Sequence, residues 1–267
     1  MKNKNKSNLL LIILTIIFLS VFLYSLVNII KWFIDNKHTN KVIDELKNNY
    51  EIIETPAINN IENTDINEEN KEETNKIIKI NFDELKTKNS DTKGWIKVEG
   101  TNIDYPFVQS KDNKYYLTHS FDKKYTDAGW VFMDYRNNID ELDKNTIIYA
   151  HARKDRTMFG SLKWTLKKDW QSNKDNHIIK ITTENEELSF QVFSTYHYKT
   201  EDYYITTNFN SDSEFLKFAN TLKKRSNYNY NVELSENDYI LTLSSCYTSE
   251  EKVVLHAKLI KRETRLY

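Results

Sequence analysis

The sequence is poor in the residues that build several common kinds of site. Its 267 residues include one cysteine, four glycines and two prolines. A single cysteine excludes a disulfide bond within the chain, and four scattered glycines exclude a glycine-rich phosphate-binding loop. No Cys or His pair has the close spacing that is usual for zinc ligands, so no metal site is predicted.

The sequence also lacks an excess of either charge. Lysine and arginine number 38 against 39 acidic residues, and the formal net charge is −1. This balance gives no reason to expect a nucleic-acid partner. Hydrophobic residues make up 39% and aromatic residues 13% of the chain. That supply is sufficient for one sizeable core, and the length allows one domain with extensions or two small domains.

The N-terminal region contains a long uncharged apolar run. Residues 9–30 read LLLIILTIIFLSVFLYSLVNII, which is long enough to cross about 30 Å of hydrocarbon as a helix. A cleaved signal peptide would have a shorter apolar region followed by small residues, whereas Lys, Trp and Phe follow here. Lysines in the first seven residues favour a cytoplasmic N-terminus. We predict a cytoplasmic tail at 1–7, a transmembrane anchor at 8–33 and an extracellular remainder.

A polar region follows the predicted anchor. Residues 40–53 have the apolar spacing of a short amphipathic helix. Residues 54–76 are acidic and nearly free of aromatic residues, a composition that cannot bury enough surface to order itself. We therefore predict that residues 34–76 form a helix and a polar tether that holds a domain at 77–267 off the membrane. A solvated acidic loop is the alternative, with the same consequence.

Strand-like runs dominate the predicted domain, and several alternate with a period of two. The predicted strands are residues 94–98, 103–108, 130–134, 146–151, 177–183, 188–198, 239–244 and 253–262. Helices are predicted at 82–87 and 213–225, the second capped by Ser211 or Ser213. The fold class is mainly β with a few helices, arranged as a closed or nearly closed eight-stranded β-barrel behind an N-terminal transmembrane helix.

Cys246 is the first candidate for chemistry because it directly follows a predicted strand, where a rigid scaffold can present a reactive group. A thiolate needs a base or a cation nearby. His151, at the end of the predicted strand 146–151, is the candidate base. Residue types alone leave other roles open: a lone cysteine is often a buried apolar residue, and a lone histidine is often a surface residue.

Five sequence blocks resemble the successive signatures of a known family. They read DTKGWIKVEGTNIDYPFVQSKDNKYYLTHSF (91–121), AGWVFMDYRNN (128–138), NTIIYAHARKDRTMFGSL (145–162), TLSSC (242–246) and VVLHAKLIK (253–261). In this order they are similar to the class B sortases, which are cysteine transpeptidases of the Gram-positive cell surface. The resemblance covers roughly residues 80–265. Because several blocks occur in order, it is more specific than the cysteine motif alone.

The resemblance implies a fold, an activity and partners. It implies a sortase-type barrel with Cys246 and His151 at one rim, and no cofactor. The expected reaction is cleavage of a C-terminal sorting signal after Thr, through a thioester on Cys246. The acyl group would pass to a peptidoglycan-precursor amine of the lipid II type, which would anchor surface proteins to the cell wall.

The resemblance also implies roles for further residues. Where the family has an arginine before its H-A-K-L stretch, this chain has Lys252, a compact charge in place of a planar fork of donors. We predict that Lys252 takes that role, although a solvated lysine is the simpler alternative. Four residues are carried over as contacts of the sorting peptide: Thr200, Tyr204, Ile205 and Ser244. Ordinary packing is the alternative for Tyr204 and Ile205.

Three other functions remain open from the sequence. A cysteine peptidase would use the same Cys and His but release its product to water. A pilin-polymerising sortase would transfer the acyl group to a lysine of a pilin. A catalytically weak surface-binding module is the third reading, and the lysine in place of arginine is its only support.

Overall fold

The computed structural model describes residues 2–47, 50–56, 74–248 and 250–265. Within them lie four α-helices: α1 (Lys2–Lys47), α2 (Phe82–Lys88), α3 (Lys168–Ser172) and α4 (Asp212–Arg225). The first five strands are β1 (Tyr50–Pro56), β2 (Thr74–Ile80), β3 (Thr92–Val98), β4 (Asp104–Val108) and β5 (Phe132–Met133). The other five are β6 (Asn145–Tyr149), β7 (Ile178–Thr182), β8 (Glu186–Lys199), β9 (Ile240–Cys246) and β10 (Glu251–Thr264).

Eight of these strands close into a barrel, in the order β10-β8-β7-β3-β4-β5-β6-β9. The strands carry the Ile, Val, Phe and Trp side chains that fill the interior, and most of those side chains are fully buried. The predicted eight-stranded barrel is therefore confirmed. Two parallel pairs, β4 with β5 and β6 with β9, interrupt the antiparallel pattern.

Helix α4 forms where its apolar spacing predicts it. Four apolar side chains on one face are buried: Phe215, Phe218, Ala219 and Leu222. The side chain of Ser211 accepts a hydrogen bond from the Glu214 amide at 3.1 Å and caps the N-terminus. Three basic residues occupy the last turn, where they complement the helix dipole. The structure thus selects Ser211 as the cap.

Helix α1 has two parts with opposite surroundings. Residues 8–34 are exposed along their whole length, and the helix is long and apolar enough to cross a membrane by length and composition. Further along, four side chains are buried against the barrel: Thr39, Val42, Ile43 and Leu46. His38 also contacts Asp122 at 3.0 Å. One helix therefore joins the apolar run directly to the barrel.

The region after the apolar run differs from its prediction. The predicted helix over residues 40–53 is wrong in its bounds, because α1 continues unbroken through this region and ends at Lys47. Strand β1 follows from Tyr50 and pairs antiparallel with β2. Of the predicted tether at 54–76, residues 57–73 lie outside the described residues. Helix α1 contacts the barrel before this segment begins.

Candidate active site

Parallel pairing of β6 with β9 brings two distant parts of the chain to one rim. The register runs from Asn145 opposite Ile240 to Tyr149 opposite Ser244. His151 and Cys246 each lie two residues beyond that last pair, at the same end of the two strands. The Ser245 hydroxyl fastens the strands there by donating to the Ala150 carbonyl at 2.7 Å. The structure therefore places the predicted nucleophile and base at neighbouring strand ends.

Antiparallel pairing of β9 with β10 places a charged neighbour beside the sulfur. Lys252 lies directly opposite Cys246 in this pairing. Its Nζ donates to the Cys246 Sγ over 3.1 Å, and the thiol is free and exposed. A positive charge thus lies beside the sulfur, where negative charge would develop in a nucleophilic reaction.

The imidazole of His151 is oriented by a backbone group. Its Nε2 lies 2.8 Å from the Leu117 carbonyl oxygen. A carbonyl only accepts, so Nε2 carries a hydrogen and Nδ1 is the nitrogen that exchanges a proton. Sequence reasoning missed Leu117, because a backbone carbonyl contributes to a site without any signal in the side-chain pattern.

A tight loop follows His151. The Phe159 amide donates to the His151 carbonyl at 3.0 Å and closes the loop. Gly160 lies so close to the Arg153 carbonyl that a Cβ there would be 2.3 Å away. The Arg153 guanidinium, 11% exposed, reaches α1 and donates to Asn36 at 2.7 Å. The loop that carries the histidine is therefore held by its own backbone and by α1.

The segment predicted to contact the sorting peptide lies beside the same rim. The Thr200 amide and hydroxyl both donate to the Glu250 carbonyl at 3.0 Å, in the turn that follows Cys246. Tyr204 is 3% exposed, and its hydroxyl lies 3.1 Å from the Ser244 hydroxyl. Burial raises the pKa of Tyr204. Thr200 therefore contacts the turn after β9, and Tyr204 contacts β9 itself.

A buried carboxylate supports Ile205, the fourth of these residues. Asp134 is fully buried and binds Arg136 through two hydrogen bonds of 2.8 and 2.7 Å. Burial alone would raise the pKa of Asp134, but hydrogen bonds from Arg136 and Tyr149 lower it overall. Arg136 then donates to the Ile205 carbonyl at 3.0 Å. Sequence reasoning also missed this support, although Asp134 and Arg136 stand inside a quoted signature block.

Among the described residues, no group of three or more His, Cys, Asp or Glu side chains could hold a metal ion. The rim itself presents a thiol, an imidazole and an ammonium group. Together they form a nucleophile, a proton carrier and a charge that can stabilise an oxyanion.

Comparisons with known proteins agree with this arrangement. The sortase domain model matches residues 96–260. Sortase B of Listeria monocytogenes is 35% identical over 253 residues, which cover 93% of this chain and 96% of the relative. A crystal structure of sortase B from Bacillus anthracis in complex with AAEK1 matches with a TM-score of 0.70 at 31% identity, covering 86% of this chain and 99% of the other.

A third comparison concerns a structure with substrate. The Staphylococcus aureus sortase B-substrate complex matches with a TM-score of 0.63 at 37% identity, covering 67% of this chain and 84% of the other. The family model spans more than half of the chain, and the relatives match in both sequence and fold. This chain therefore belongs to the sortase family, in its B class, and is a cysteine transpeptidase that sorts proteins to the cell wall.

Proposed function

We propose that Cys246 is the nucleophile of this transpeptidase, His151 its proton carrier and Lys252 the charge that stabilises the oxyanion. The observation that carries the proposal is that a cysteine transpeptidase requires a cysteine and this chain has one. That cysteine lies exposed at a strand end with an ammonium group 3.1 Å from its sulfur.

The first half of the reaction forms a thioester. The Cys246 thiolate attacks the carbonyl carbon of the scissile Thr, and the carbonyl oxygen becomes an oxyanion beside the Lys252 ammonium. The C–N bond then breaks, and His151, as imidazolium, gives its proton to the leaving amine. The sorting signal's C-terminal part departs as a free amine, and the rest stays on the sulfur.

The second half transfers the acyl group. An incoming amine attacks the thioester carbonyl, neutral His151 accepts its proton, and the thiolate leaves as the new amide forms. A peptidoglycan-precursor amine of the lipid II type is the proposed acceptor. Hydrolysis, in which water takes the place of the amine, is not favoured, because the relatives are sortases.

The sorting peptide is proposed to bind along Thr200, Tyr204, Ile205 and Ser244. Thr200, Tyr204 and Ser244 lie at the end of β9 that carries Cys246 or in the turn after it, and Ile205 is the neighbour of Tyr204 in the sequence. The S. aureus relative was solved as a substrate complex, which supports a peptide site in this class. Residues 8–33 are proposed to cross the cytoplasmic membrane once, with the catalytic domain outside the cell.

The test uses the full chain in detergent micelles with a library of sorting-type peptides and a diamino-acid acceptor. Mass spectrometry should identify a new amide after the scissile Thr. The Cys246→Ala and His151→Ala variants should give no product. His197→Ala is the matched control, because His197 is an exposed imidazole on β8 that stacks on Tyr247, and it should keep activity. Turnover by the Cys246→Ala variant would contradict the proposal.

A further inference from the structure

A chain of polar side chains crosses the interior of the barrel beneath the proposed active site. Asn145, Thr242 and His256 are fully buried, and Tyr196 is 3% exposed. They lie on four different strands, β6, β9, β10 and β8. Buried polar groups are costly unless each is hydrogen bonded, so such a chain across four strands needs a reason.

The hydrogen bonds of Asn145 fix the orientation of its amide. Its Nδ2 lies 3.3 Å from the Tyr204 carbonyl and 2.9 Å from the Thr206 carbonyl. Carbonyls only accept, so the amino group must face them and the Oδ1 must face the other way. The Thr242 hydroxyl donates to that Oδ1 at 2.6 Å.

The direction of every following bond is then determined. The Thr242 hydroxyl has given its hydrogen to Asn145, so the Nδ1 of His256, 2.9 Å away, donates to Thr242. Neutral His256 therefore accepts at Nε2, from the Tyr196 hydroxyl at 2.9 Å. The Tyr196 oxygen in turn accepts from Arg225 Nη1 at 3.4 Å. Burial lowers the pKa of His256 to about 3, which keeps the ring neutral.

Both ends of this chain hold the same surface segment. At one end Asn145 binds the carbonyls of Tyr204 and Thr206. At the other end Arg225 forms an ion pair with Glu201 and lies 5.2 Å from the centre of the Tyr203 ring. Residues 201–206 are therefore fixed at their beginning and at their end by groups that are hydrogen bonded to one another through the barrel.

We propose that Asn145 is a positioning residue for the sorting peptide, and that the chain Thr242–His256–Tyr196–Arg225 keeps its amide aimed at segment 201–206. The inference rests on the proposed function, in which Tyr204 and Ile205 contact the peptide. Loops are mobile unless they are fixed, and a binding segment that is ordered beforehand loses less entropy when the ligand binds. None of the five side chains contacts the sulfur of Cys246 among the described residues.

The position of this row of polar side chains, away from the Cys246 sulfur, predicts which kinetic constant depends on it. Loss of one link should loosen segment 201–206 and raise KM for the sorting peptide, while the reactivity of the Cys246 thiol stays unchanged. A residue that served only general stability would change neither KM nor the local mobility of the segment in the folded enzyme.

Two neighbouring threonines provide a matched pair of variants. Thr242 and Thr146 are both buried on paired strands, but the Thr146 hydroxyl has no hydrogen-bond partner among the described residues. Valine replaces each hydroxyl by a methyl group of similar size. Thr242→Val should raise KM about 10-fold with kcat and the rate of iodoacetamide labelling of Cys246 unchanged. Thr146→Val should change none of the three.

Two further measurements make the test independent of turnover. Amide hydrogen exchange over residues 201–206 should accelerate in Thr242→Val and not in Thr146→Val. The imidazole ¹⁵N shifts of His256 should report the Nδ1-protonated tautomer in the wild type and lose that signature in Thr242→Val. If the wild type turned over no peptide, the proposed function would fail while hydrogen exchange still decided the role of the chain.

Asn145→Asp and Arg225→Lys probe the two ends. The carboxylate of the first variant would keep an acceptor for Thr242 but lose the two donors to the segment, so KM should rise as in Thr242→Val. The second variant keeps the positive charge but loses the planar guanidinium, whose Nη1 donates to both Glu201 and Tyr196 and whose carbon lies 5.2 Å from the centre of the Tyr203 ring. It should therefore raise KM by a smaller factor. Unchanged KM and unchanged exchange in folded Thr242→Val and Asn145→Asp would overturn the proposal.

Discussion

Two histidines lie at different depths of the same barrel and have opposite surroundings. His151 stands at the rim, partly exposed, with one hydrogen bond to the Leu117 carbonyl. His256 is fully buried, and both of its ring nitrogens are hydrogen bonded. At the rim a nitrogen is available for proton exchange, whereas in the interior both nitrogens are committed to structure. These surroundings fit the two proposals, a proton carrier for the exposed imidazole and a positioning role for the buried one.

The largest effect is expected at the rim. Cys246→Ala removes the sulfur that is proposed to form the thioester, so both cleavage and acyl-enzyme formation should fall by on the order of 10⁴-fold or more. Intact-mass measurement after incubation with a sorting peptide checks the acyl-enzyme, and product analysis checks cleavage. Because Cys246 is exposed, the variant should unfold at the wild-type temperature. If the variant still formed an acyl-enzyme, Cys246 would not be the nucleophile, and the chemistry would not lie at the rim.

Lys252 sharpens the same comparison, because it is the charged neighbour of the sulfur. Lys252→Ala should lower kcat/KM roughly 10- to 100-fold, since one donor to the oxyanion is lost at a site that water partly screens. Lys252→Arg should preserve or raise activity, because the charge remains and the fork adds donors. Steady-state kinetics of both variants decide between this role and that of a solvated lysine. An alanine variant with wild-type kinetics would exclude the role.

The interior histidine should be visible in the pH dependence of stability. Burial lowers the pKa of His256 from its ordinary value of 6.5 to about 3 in the folded protein. Above pH 6.5 the ring is neutral in both states, so this group contributes no pH dependence. As pH falls from 6.5 towards 3, the histidine binds a proton in the unfolded state but not in the folded state. The free energy of unfolding therefore falls by about 1.4 kcal/mol per pH unit.

Denaturant unfolding between pH 6.5 and 4.5 measures this slope. His256→Gln should reduce the slope by one proton. Asp122, whose pKa is lowered to about 2, loses its contribution only below its ordinary value near 3.8, so it stays outside this window. Equal slopes in the wild type and His256→Gln would contradict the assignment of a neutral buried ring.

The smallest effect is expected where α1 meets the loop after His151. Arg153→Gln removes the ion pair with Asp155 and the contact with Asn36. Since the groups are near the surface, the loss should be about 1 kcal/mol of stability or less. Thermal unfolding of the full chain in detergent measures it, with Arg156→Gln as the control. A loss several times larger would mean that the Arg153 contacts act as buried charge pairs and not as surface ones.

The sequence predicted the barrel well because its strands alternate and its signature blocks occur in order. All eight barrel strands lie within or close to their predicted ranges. Cys246 and His151 became candidates through their strand ends together with the family resemblance, and their catalytic roles stay a prediction. The pairing of β6 with β9 could not be derived, because parallel pairing depends on the whole fold. Once it is known, the constant register from Asn145 to Ser244 explains why His151 and Cys246 follow neighbouring strand ends at one rim.

Other parts of the site left no signal in the sequence. The Leu117 carbonyl and the two carbonyls bound by Asn145 belong to the backbone, so no residue type marks them. His256 looked like one of six scattered histidines until its depth was known. The bounds of α1 were missed because a short amphipathic pattern after an apolar run does not reveal that one helix continues through both.

The unbroken course of α1 has a consequence for where catalysis takes place. With residues 8–33 in the bilayer, as proposed, Asn36 follows the last of them by three residues, or about 5 Å along a helix axis. Arg153 binds Asn36, and His151 is two positions away. The proposed catalytic rim would then lie at the level of the lipid headgroups. An acceptor amine embedded in the membrane could meet the thioester there without extending into the cell wall. Changing the length of segment 57–73 would leave that height unaltered.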